Sequence, residues 1–209
     1  MPSRTGILLL VSGPSGSGKT TLCRRLADEQ EAHYSTSCTT RIARPGEIDG
    51  HDYFFLSREA FDAKIAAGDF LEHATVHDNS YGTLKSEVLQ YIDRGIDVVM
   101  DIDVQGAAQV RACTDSQIRN ALVDLFVMPA TDEELAARLT GRKTDSPEVI
   151  ALRLKNAIEE MAHWREYQYR LISASREEDY SRFRSLLIAE RLRSARLVHD
   201  SSTEPLTHS

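Results

Sequence analysis

Four stretches of the chain are almost continuously aliphatic, which is typical of strands covered on both faces. They are Ile7 to Val11, Ile96 to Ile102, Ala121 to Met128 and Tyr169 to Ala174. Helical patterns lie between them, as in Thr20 to Gln30, where Leu22 and Leu26 are four residues apart. Strands that alternate with helices predict an α/β fold in which a parallel sheet lies between helices.

The segment between the first two of these strands has a different pattern. From about Tyr34 to Tyr81 it contains short β-rich pieces such as Asp52 to Leu56 and Phe70 to Val76. Between those pieces, Ser57 to Ala67 is predicted to form a helix with Ser57 as its N-cap and Gly68 as its end. We therefore expect a β-rich lobe inserted into the parallel sheet.

The C-terminal half is mainly helical in pattern. Thr131 and Glu134 form a capping box ahead of one helix, and Ser146-Pro147 begins a long helix toward Glu166. A last amphipathic helix is predicted from about Glu177 to Val198. The expected segments are a core at 1–33, 97–135 and 168–198, the inserted lobe at 34–96, a lid with its adjoining helix at 136–167, and a disordered polar tail at 199–209.

Composition narrows the class of protein. A chain of 209 residues with 41% hydrophobic content fits one domain with insertions. The net charge of -7 provides no global basic field that would attract nucleic acid or an anionic membrane. The three cysteines form no CxxC pair, and no N-terminal stretch is long enough for a signal sequence or a membrane span. We expect free thiols and a cytoplasmic location.

Gly13 to Thr20 reads GPSGSGKT and matches the phosphate-binding pattern GxxxxGK[ST] between a strand and a helix. Glycines let main-chain amides point at phosphate oxygens, and the helix N-terminus adds partial positive charge. Lys19 is then expected to reach the outer phosphates, and Thr20 to offer its hydroxyl to Mg²⁺. Asp101 and Asp103 follow a buried strand, where such folds place a second Mg²⁺ contact. The residues expected around the triphosphate are Gly13, Pro14, Ser15, Gly16, Ser17, Gly18, Lys19, Thr20 and Thr21.

A second phosphate site is predicted within the inserted lobe. Arg41 and Arg44 lie three residues apart, near the hydroxyls of Ser37, Thr39 and Thr40, in an otherwise acidic chain. Guanidinium groups match the oxygens of a dianionic phosphate in a way that a lysine cannot. Local positive charge of this kind would hold a phosphorylated acceptor.

The chain resembles the guanylate kinase family over nearly its whole length. The resemblance rests on five ordered stretches: SGPSGSGKTTL, STSCTTRIARPGEIDGHDYFFL, FLEHATVHDNSYGT, VVMDIDVQGA and RLTGRKTDSPEVIALRL. It implies a P-loop NTPase-type α/β fold with an inserted nucleoside-monophosphate lobe and a helical lid. It also implies transfer of the γ-phosphate of ATP to GMP, and to dGMP, with Mg²⁺, in purine nucleotide metabolism. A monomer and a homodimer both remain open.

Matched position by position, the resemblance implies a role for each of a set of residues. The acceptor phosphate would be held by Ser37, Arg41, Arg44, Tyr53 and Tyr81. The base would be read by Glu72 and Thr83, with Asp101 beside it. Thr20 and Asp103 would face Mg²⁺. The catalytic cations would be Lys19 together with the lid residues Arg138, Arg142 and Arg153.

Base chemistry agrees with this implied pairing. Guanine presents N1–H and a 2-amino group, which a carboxylate accepts, and its O6 accepts from a threonine hydroxyl. Adenine would place an acceptor against Glu72 and a donor against Thr83. Each mispaired buried polar group costs about 1 to 3 kcal/mol, so the two together favour guanine. We also expect the lobes to close when GMP binds, because a complete open site would hydrolyse ATP.

Two positions depart from the family pattern. Ser173-Ala174-Ser175 stands where relatives usually carry Asn followed by acidic residues, which leaves the donor-base contacts open. Ser80 replaces a common second tyrosine. The alternatives are a guanylate-kinase-like module that binds phosphopeptides, which characteristically lacks the phosphate loop, and a kinase of a phosphorylated sugar, which needs no base readers at Glu72 and Thr83.

Overall fold

A computed structural model describes residues 4–76, 78–140 and 147–197. The strands are β1 (Leu8–Ser12), β2 (His33–Tyr34), β3 (Cys38–Thr39), β4 (Phe54–Phe55), β5 (Phe70–Val76), β6 (Asn79–Leu84), β7 (Val98–Asp101), β8 (Leu122–Met128) and β9 (Tyr169–Ile172). The α-helices are α1 (Lys19–Asp28), α2 (Arg58–Ala67), α3 (Lys85–Ile92), α4 (Val104–Arg111), α5 (Ser116–Ala121), α6 (Asp132–Thr140), α7 (Pro147–Met161) and α8 (Arg176–Arg191). Two 3₁₀ helices follow α7 and α8, at Ala162–Glu166 and Ser194–Arg196.

The main sheet has five strands in the order β2-β7-β1-β8-β9, and all neighbouring strands are parallel. Side chains of the central strand β1 alternate between two cores. Leu9 and Val11 pack in the core that includes residues of α1 and α8. Leu8 and Leu10 pack in the core that includes residues of α3, α4 and α5. The predicted parallel sheet between helices is confirmed.

The inserted lobe has a four-stranded sheet of its own, in the order β4-β3-β6-β5. Cys38, Phe61 and Phe70 form its small core, and the two phenyl rings lie 4.4 Å apart. The lobe's own strands begin at Cys38 and end at Leu84, so it is narrower than the expected range 34–96. Strand β2 belongs to the main sheet, and α3 packs its apolar face into the core beneath that sheet.

Helix ends follow the predicted capping residues closely. Ser57 Oγ accepts a hydrogen bond from the main-chain N–H of Ala60 at 3.1 Å, and Gly68 closes α2 with φ of 71°. Thr131 Oγ1 accepts from Glu134 N at 3.2 Å, although the Glu134 carboxylate reaches Ala130 N rather than Thr131 N. The predicted last helix is shorter than expected, because α8 ends at Arg191 and a 3₁₀ turn follows.

A buried carboxylate joins the N-terminal strand to α8. Asp97, whose side chain is fully buried, accepts two hydrogen bonds from Arg4 at 2.7 and 3.0 Å and one from Arg191 at 2.7 Å. Its Oδ1 also accepts from Ile7 N at 2.9 Å. Because a buried charge needs partners, this cluster links the amino ends of β1 and β7 to the last helix.

The remaining expectations concern the ends and the thiols. Residues 141–146 and the tail 199–209 lie outside the described residues. Cys23, Cys38 and Cys113 are free thiols, as predicted, and burial raises the pKa of Cys38 to about 11. Within residues 4–76, 78–140 and 147–197, no helix combines the length and apolar character needed to cross a bilayer.

Candidate active site

The phosphate-binding loop joins β1 to α1 at the carboxyl edge of the main sheet. Gly13 has φ of 145°, and a Cβ atom at this position would lie 2.0 Å from the carbonyl oxygen of Val127. Glycine is therefore required here by both conformation and space. Gly18 caps α1 in the left-handed region, with φ of 95°. Lys19 Nζ donates to the carbonyl oxygens of Gly13 at 2.6 Å and Pro14 at 3.1 Å, so the ammonium group lies over the loop.

A cavity of about 680 Å³ opens beside this loop. Residues 16–22 and Arg25 line one side, and residues between Ser173 and Tyr180 line the other. Its volume lies within the usual range for ligand pockets. In open α/β sheets, ligands bind outside the carboxyl ends of the strands, which is where this cavity lies. It is the candidate donor site, and Pro14 and exposed Ser15 complete the loop above it.

Asp101, the last residue of β7, and Asp103 make different contacts. The hydroxyl of Thr20 donates to the carboxylate of Asp101, which brings together two hard oxygen ligands suited to Mg²⁺. Asp103 instead caps α4, where its Oδ1 accepts from Gly106 N at 2.7 Å. Its charge also acts on Glu72, the expected base reader. Asp101 also lines the cavity that contains Glu72 and Thr83, so the roles expected for these two aspartates remain predictions.

A second cavity, of about 350 Å³, lies between the inserted lobe and the main sheet. Its lining includes five of the residues expected to bind the acceptor, namely Ser37, Tyr53, Glu72, Thr83 and Asp101. Glu72 and Thr83 are register partners on β5 and β6, and Ser37 Oγ lies 3.2 Å from Thr83 Oγ1. The structure therefore brings together the predicted base readers and two predicted phosphate ligands, Ser37 and Tyr53.

Electrostatics distinguish Glu72 from an exposed glutamate. Burial raises the pKa of its carboxyl, hydrogen bonding by Thr83 opposes that effect, and the charge of Asp103 adds to it. Burial disfavours the ionised form because it removes water from the carboxylate. A ligand that donates two N–H groups to this carboxylate would replace the lost hydration.

The predicted phosphate ligands Arg41, Arg44 and Tyr81 are not among the residues that line this cavity, but Arg41 lies beside Tyr53, which does line it. The guanidinium group of Arg41 lies 5.4 Å from the centre of the Tyr53 ring, and the Tyr53 and Tyr81 rings are 6.2 Å apart. Arg41 makes two hydrogen bonds to the carboxylate of Glu47, at 3.0 and 2.8 Å. Arg44 is exposed at the edge, where its main-chain N–H donates to Glu47 at 2.7 Å. Hydrogen bonding by Arg41 lowers the pKa of Glu47, so Glu47 holds its charge against this arginine.

Comparison with known proteins identifies the family. A family model described as guanylate kinase matches residues 5–190. A guanylate kinase of Cereibacter sphaeroides is 43% identical over 192 residues, which cover 91% of this chain and 90% of that protein. The chain belongs to the guanylate kinase family. Another guanylate kinase, of Alkalilimnicola ehrlichii, is 44% identical over 189 residues, covering 90% of this chain and 91% of that protein.

A solved structure supports the same conclusion for the fold. The crystal structure of guanylate kinase from Anaplasma phagocytophilum matches with a TM-score of 0.71 and 31% identity. The match covers 94% of this chain and 92% of that one. The fold is therefore of the P-loop NTPase type found in guanylate kinases.

Two of the lid residues expected from the guanylate kinase resemblance lie on helices that precede β9. Arg138 lies on α6 and Arg153 on α7, while Arg142 lies outside the described residues. The two helices pack through a small core that includes Leu135 and Ala157. The structure fixes these helices against each other, and the catalytic roles of the three arginines remain predictions.

Two acidic residues near the guanylate kinase site were missed in the sequence. Glu47 lies six residues after Arg41, and this spacing within RIARPGE was a usable signal. Glu160 on α7 offers no such signal, because it appears as one acidic residue in a mixed helix. Burial raises the pKa of Glu160, the charge of Lys19 lowers it, and that of Asp103 raises it, so this carboxylate faces the cleft from the lid side.

The departure at Ser80 has a structural role of its own. Ser80 is buried, its Oγ accepts from Arg58 at 2.8 Å, and its N–H donates to Thr40 Oγ1 at 2.9 Å. These contacts tie β6 to α2 and to the end of β3. Phosphate binding is expected to depend on the neighbouring Tyr81.

Proposed function

We propose that the protein catalyses transfer of the γ-phosphate of ATP to GMP, and to dGMP, to give ADP and the corresponding diphosphate. One observation supports this most directly. Glu72 and Thr83 face each other in a cavity that also contains Ser37 and Tyr53 and that reaches Asp101 beside the phosphate loop. The cavity with the base-reading pair and the phosphate loop are thus joined where Asp101 accepts a hydrogen bond from Thr20.

The acceptor base is recognised by complementary hydrogen bonding. The carboxylate of Glu72 accepts from N1–H and the 2-amino group of guanine, and the hydroxyl of Thr83 donates to O6. Asp103 is near enough to Glu72 for its charge to act on that carboxyl, and the same negative charge would favour the N–H donors of guanine. Adenine meets an acceptor with an acceptor and a donor with a donor, and each such mismatch costs about 1 to 3 kcal/mol.

The acceptor phosphate is held at the other end of the cavity. Arg41, Tyr53 and Tyr81 form a continuous cationic and hydroxyl-bearing surface there. The guanidinium group of Arg41 is paired with Glu47, which keeps it oriented. Its remaining N–H groups, with the hydroxyls of Ser37 and the two tyrosines, can donate to the phosphate oxygens.

On the donor side, Lys19 neutralises the outer phosphates of ATP, and the loop amides hold the chain of phosphates in place. The pair Thr20 and Asp101 would hold Mg²⁺, which supplies further neutralisation of the β- and γ-oxygens when bound. A phosphate oxygen of GMP attacks the γ-phosphorus, the bond to the bridging oxygen breaks, and ADP leaves with those electrons. The protein contributes positioning and charge stabilisation.

The lid completes the site in this proposal. Arg138, Arg142 and Arg153 would close over the transferred group when both nucleotides are bound, which excludes water from the reaction. An arginine aimed at the transferred phosphoryl group contributes roughly a thousandfold or more in rate. We also propose a cytoplasmic location, in keeping with the three free thiols.

A single assay tests the assignment. ADP release from ATP is measured with GMP, dGMP, AMP, UMP and CMP as acceptors, for the wild type, Glu72→Ala and Lys19→Ala. We expect turnover with GMP and dGMP only, loss of GMP preference in Glu72→Ala, and loss of turnover in Lys19→Ala. Lys64→Ala is a matched control, since this lysine lies on α2 and pairs with Asp69. Equal turnover of AMP and GMP by the wild type would overturn the base assignment.

A further inference from the structure

The segment that joins β9 to α8 forms one wall of the donor cavity, yet its side chains are engaged elsewhere. Ser173 Oγ donates to Asp179 Oδ2 at 2.7 Å, and Ala174 N donates to Asp179 Oδ1 at 2.7 Å. Ser175 caps α8 by accepting from Glu178 N at 3.3 Å. Two of the hydrogen bonds that hold this segment are therefore accepted by Asp179, which also lines the cavity.

Asp179 is well placed to hold that main chain. It lies in the first turn of α8, where the helix macrodipole favours a carboxylate, and only 7% of the residue is exposed. Each of its two oxygens accepts a short hydrogen bond from a different residue of the segment. Ser173 N also donates to Met128 O at 2.8 Å, which anchors the segment to the end of β8.

The opposite wall of the cavity is fixed to the same helix. The guanidinium group of Arg25 lies 4.0 Å from the centre of the Tyr180 ring and makes hydrogen bonds to Glu177 at 2.9 and 3.0 Å. Tyr180 Oη donates to Glu29 at 2.6 Å. These contacts join α1 to α8 across the cavity, and Asp179 joins the β9–α8 segment to α8.

We propose that Asp179 is a positioning residue for the donor nucleotide: its carboxylate, through the Ser173 hydroxyl and the Ala174 main-chain N–H, holds the β9–α8 segment in the shape against which the nucleoside of ATP packs. The proposal rests on the proposed function for the identity of the donor. Asp179 makes no contact with the reacting atoms, so its removal changes donor binding and leaves acceptor binding as it was. In this proposal, the segment Ser173-Ala174-Ser175, which differs from the family pattern, is held in position by the carboxylate of Asp179.

The test separates the two substrates. In Asp179→Ala, the KM for ATP at saturating GMP is expected to rise about tenfold, while the KM for GMP stays within about twofold of the wild type. Asp179→Asn retains an oxygen for Ala174 N and offers an amide N–H to Ser173 Oγ, so its KM for ATP is expected within about threefold of the wild type. Glu178→Gln is the matched control, because Glu178 is exposed and pairs with Arg182 one turn along the helix.

Further variants keep the result decisive. Ser173→Ala removes one of the two hydrogen bonds and is expected to raise the KM for ATP about threefold even if Asp179→Ala does not fold. The proposal is overturned if neither variant raises the KM for ATP, or if both KM values rise equally. Calorimetry with a non-hydrolysable ATP analogue compares the same variants without any acceptor. A wild type that fails to phosphorylate GMP would refute the proposed function, while the calorimetric comparison would still decide the role of Asp179.

Discussion

Replacing Glu72 with glutamine tests the base-reading pair. The change replaces one carboxylate oxygen with an NH₂ group and leaves the size of the side chain almost unchanged. Guanine offers two N–H groups to two carboxylate oxygens, whereas glutamine meets one of them with oxygen and the other with its own NH₂. In the proposed arrangement the hydroxyl of Thr83, which lies 3.2 Å from Ser37 Oγ, is directed at O6 of guanine and leaves the second N–H group to residue 72.

The magnitude follows from the hydrogen bond that is lost. A hydrogen bond to a charged group contributes about 1.5 to 3 kcal/mol, and a buried donor left unpaired costs about 1 to 3 kcal/mol. These two quantities overlap, so we expect a net loss of about 3 kcal/mol. That corresponds to a roughly 100-fold lower kcat/KM for GMP, since each 1.4 kcal/mol is about tenfold.

The assay is coupled ADP release with GMP varied at saturating ATP, repeated with ATP varied at saturating GMP. The KM for ATP should stay within about twofold, because the donor cavity does not include Glu72. Glu59→Gln makes the same chemical change on the exposed face of α2 and should behave as the wild type. A fall of less than about threefold in kcat/KM for GMP in Glu72→Gln would refute the pairing of this carboxylate with guanine.

Four further predictions follow from the same contacts. Because burial raises the pKa of Glu72, this carboxylate should become protonated at a higher pH than an exposed glutamate, and the KM for GMP should rise as it does so. Glu72→Gln should abolish this pH dependence of kcat/KM. The raised pKa also means that the ionised carboxylate costs stability, so Glu72→Gln without nucleotide should increase the free energy of unfolding in urea at neutral pH, and this gain should vanish as pH falls through that pKa. Asp101→Asn should raise the Mg²⁺ concentration for half-maximal activity about tenfold, whereas Asp103→Asn should raise the KM for GMP, and the opposite pattern would restore the roles first expected from the sequence. Small-angle scattering should show a smaller radius of gyration when GMP and a non-hydrolysable ATP analogue are added together, and an unchanged radius would count against closure of the lobes.

Local pattern was sufficient for most of the main sheet. The aliphatic runs predicted β1, β7, β8 and β9 to within two residues at nearly every end, because a strand buried on both faces needs an unbroken apolar segment. Capping residues predicted the limits of α2 equally well, since Ser57 and Gly68 satisfy main-chain groups within a few residues. Apolar segments and capping residues act on nearby residues, so a single sequence is enough to predict their effect.

Short elements were not predictable in the same way. Strands β2, β3 and β4 contain two residues each, and their existence depends on partners that are distant in the sequence. Strand β2, for example, pairs with β7, where His33 is the partner of Val98. The limits of the inserted lobe were consequently set too wide at both ends.

The sequence by itself determined the chemical groups of the site, because the phosphate loop, the paired arginines and the Glu72–Thr83 pair lie in ordered, closely spaced stretches. Tertiary structure alone decided which contacts neighbouring groups make. Asp101 and Asp103 are two residues apart, but one ends β7 beside Thr20 and the other caps α4 on the side of Glu72. Each outcome depends on where a helix packs on the sheet, and that packing is fixed by contacts between distant parts of the chain.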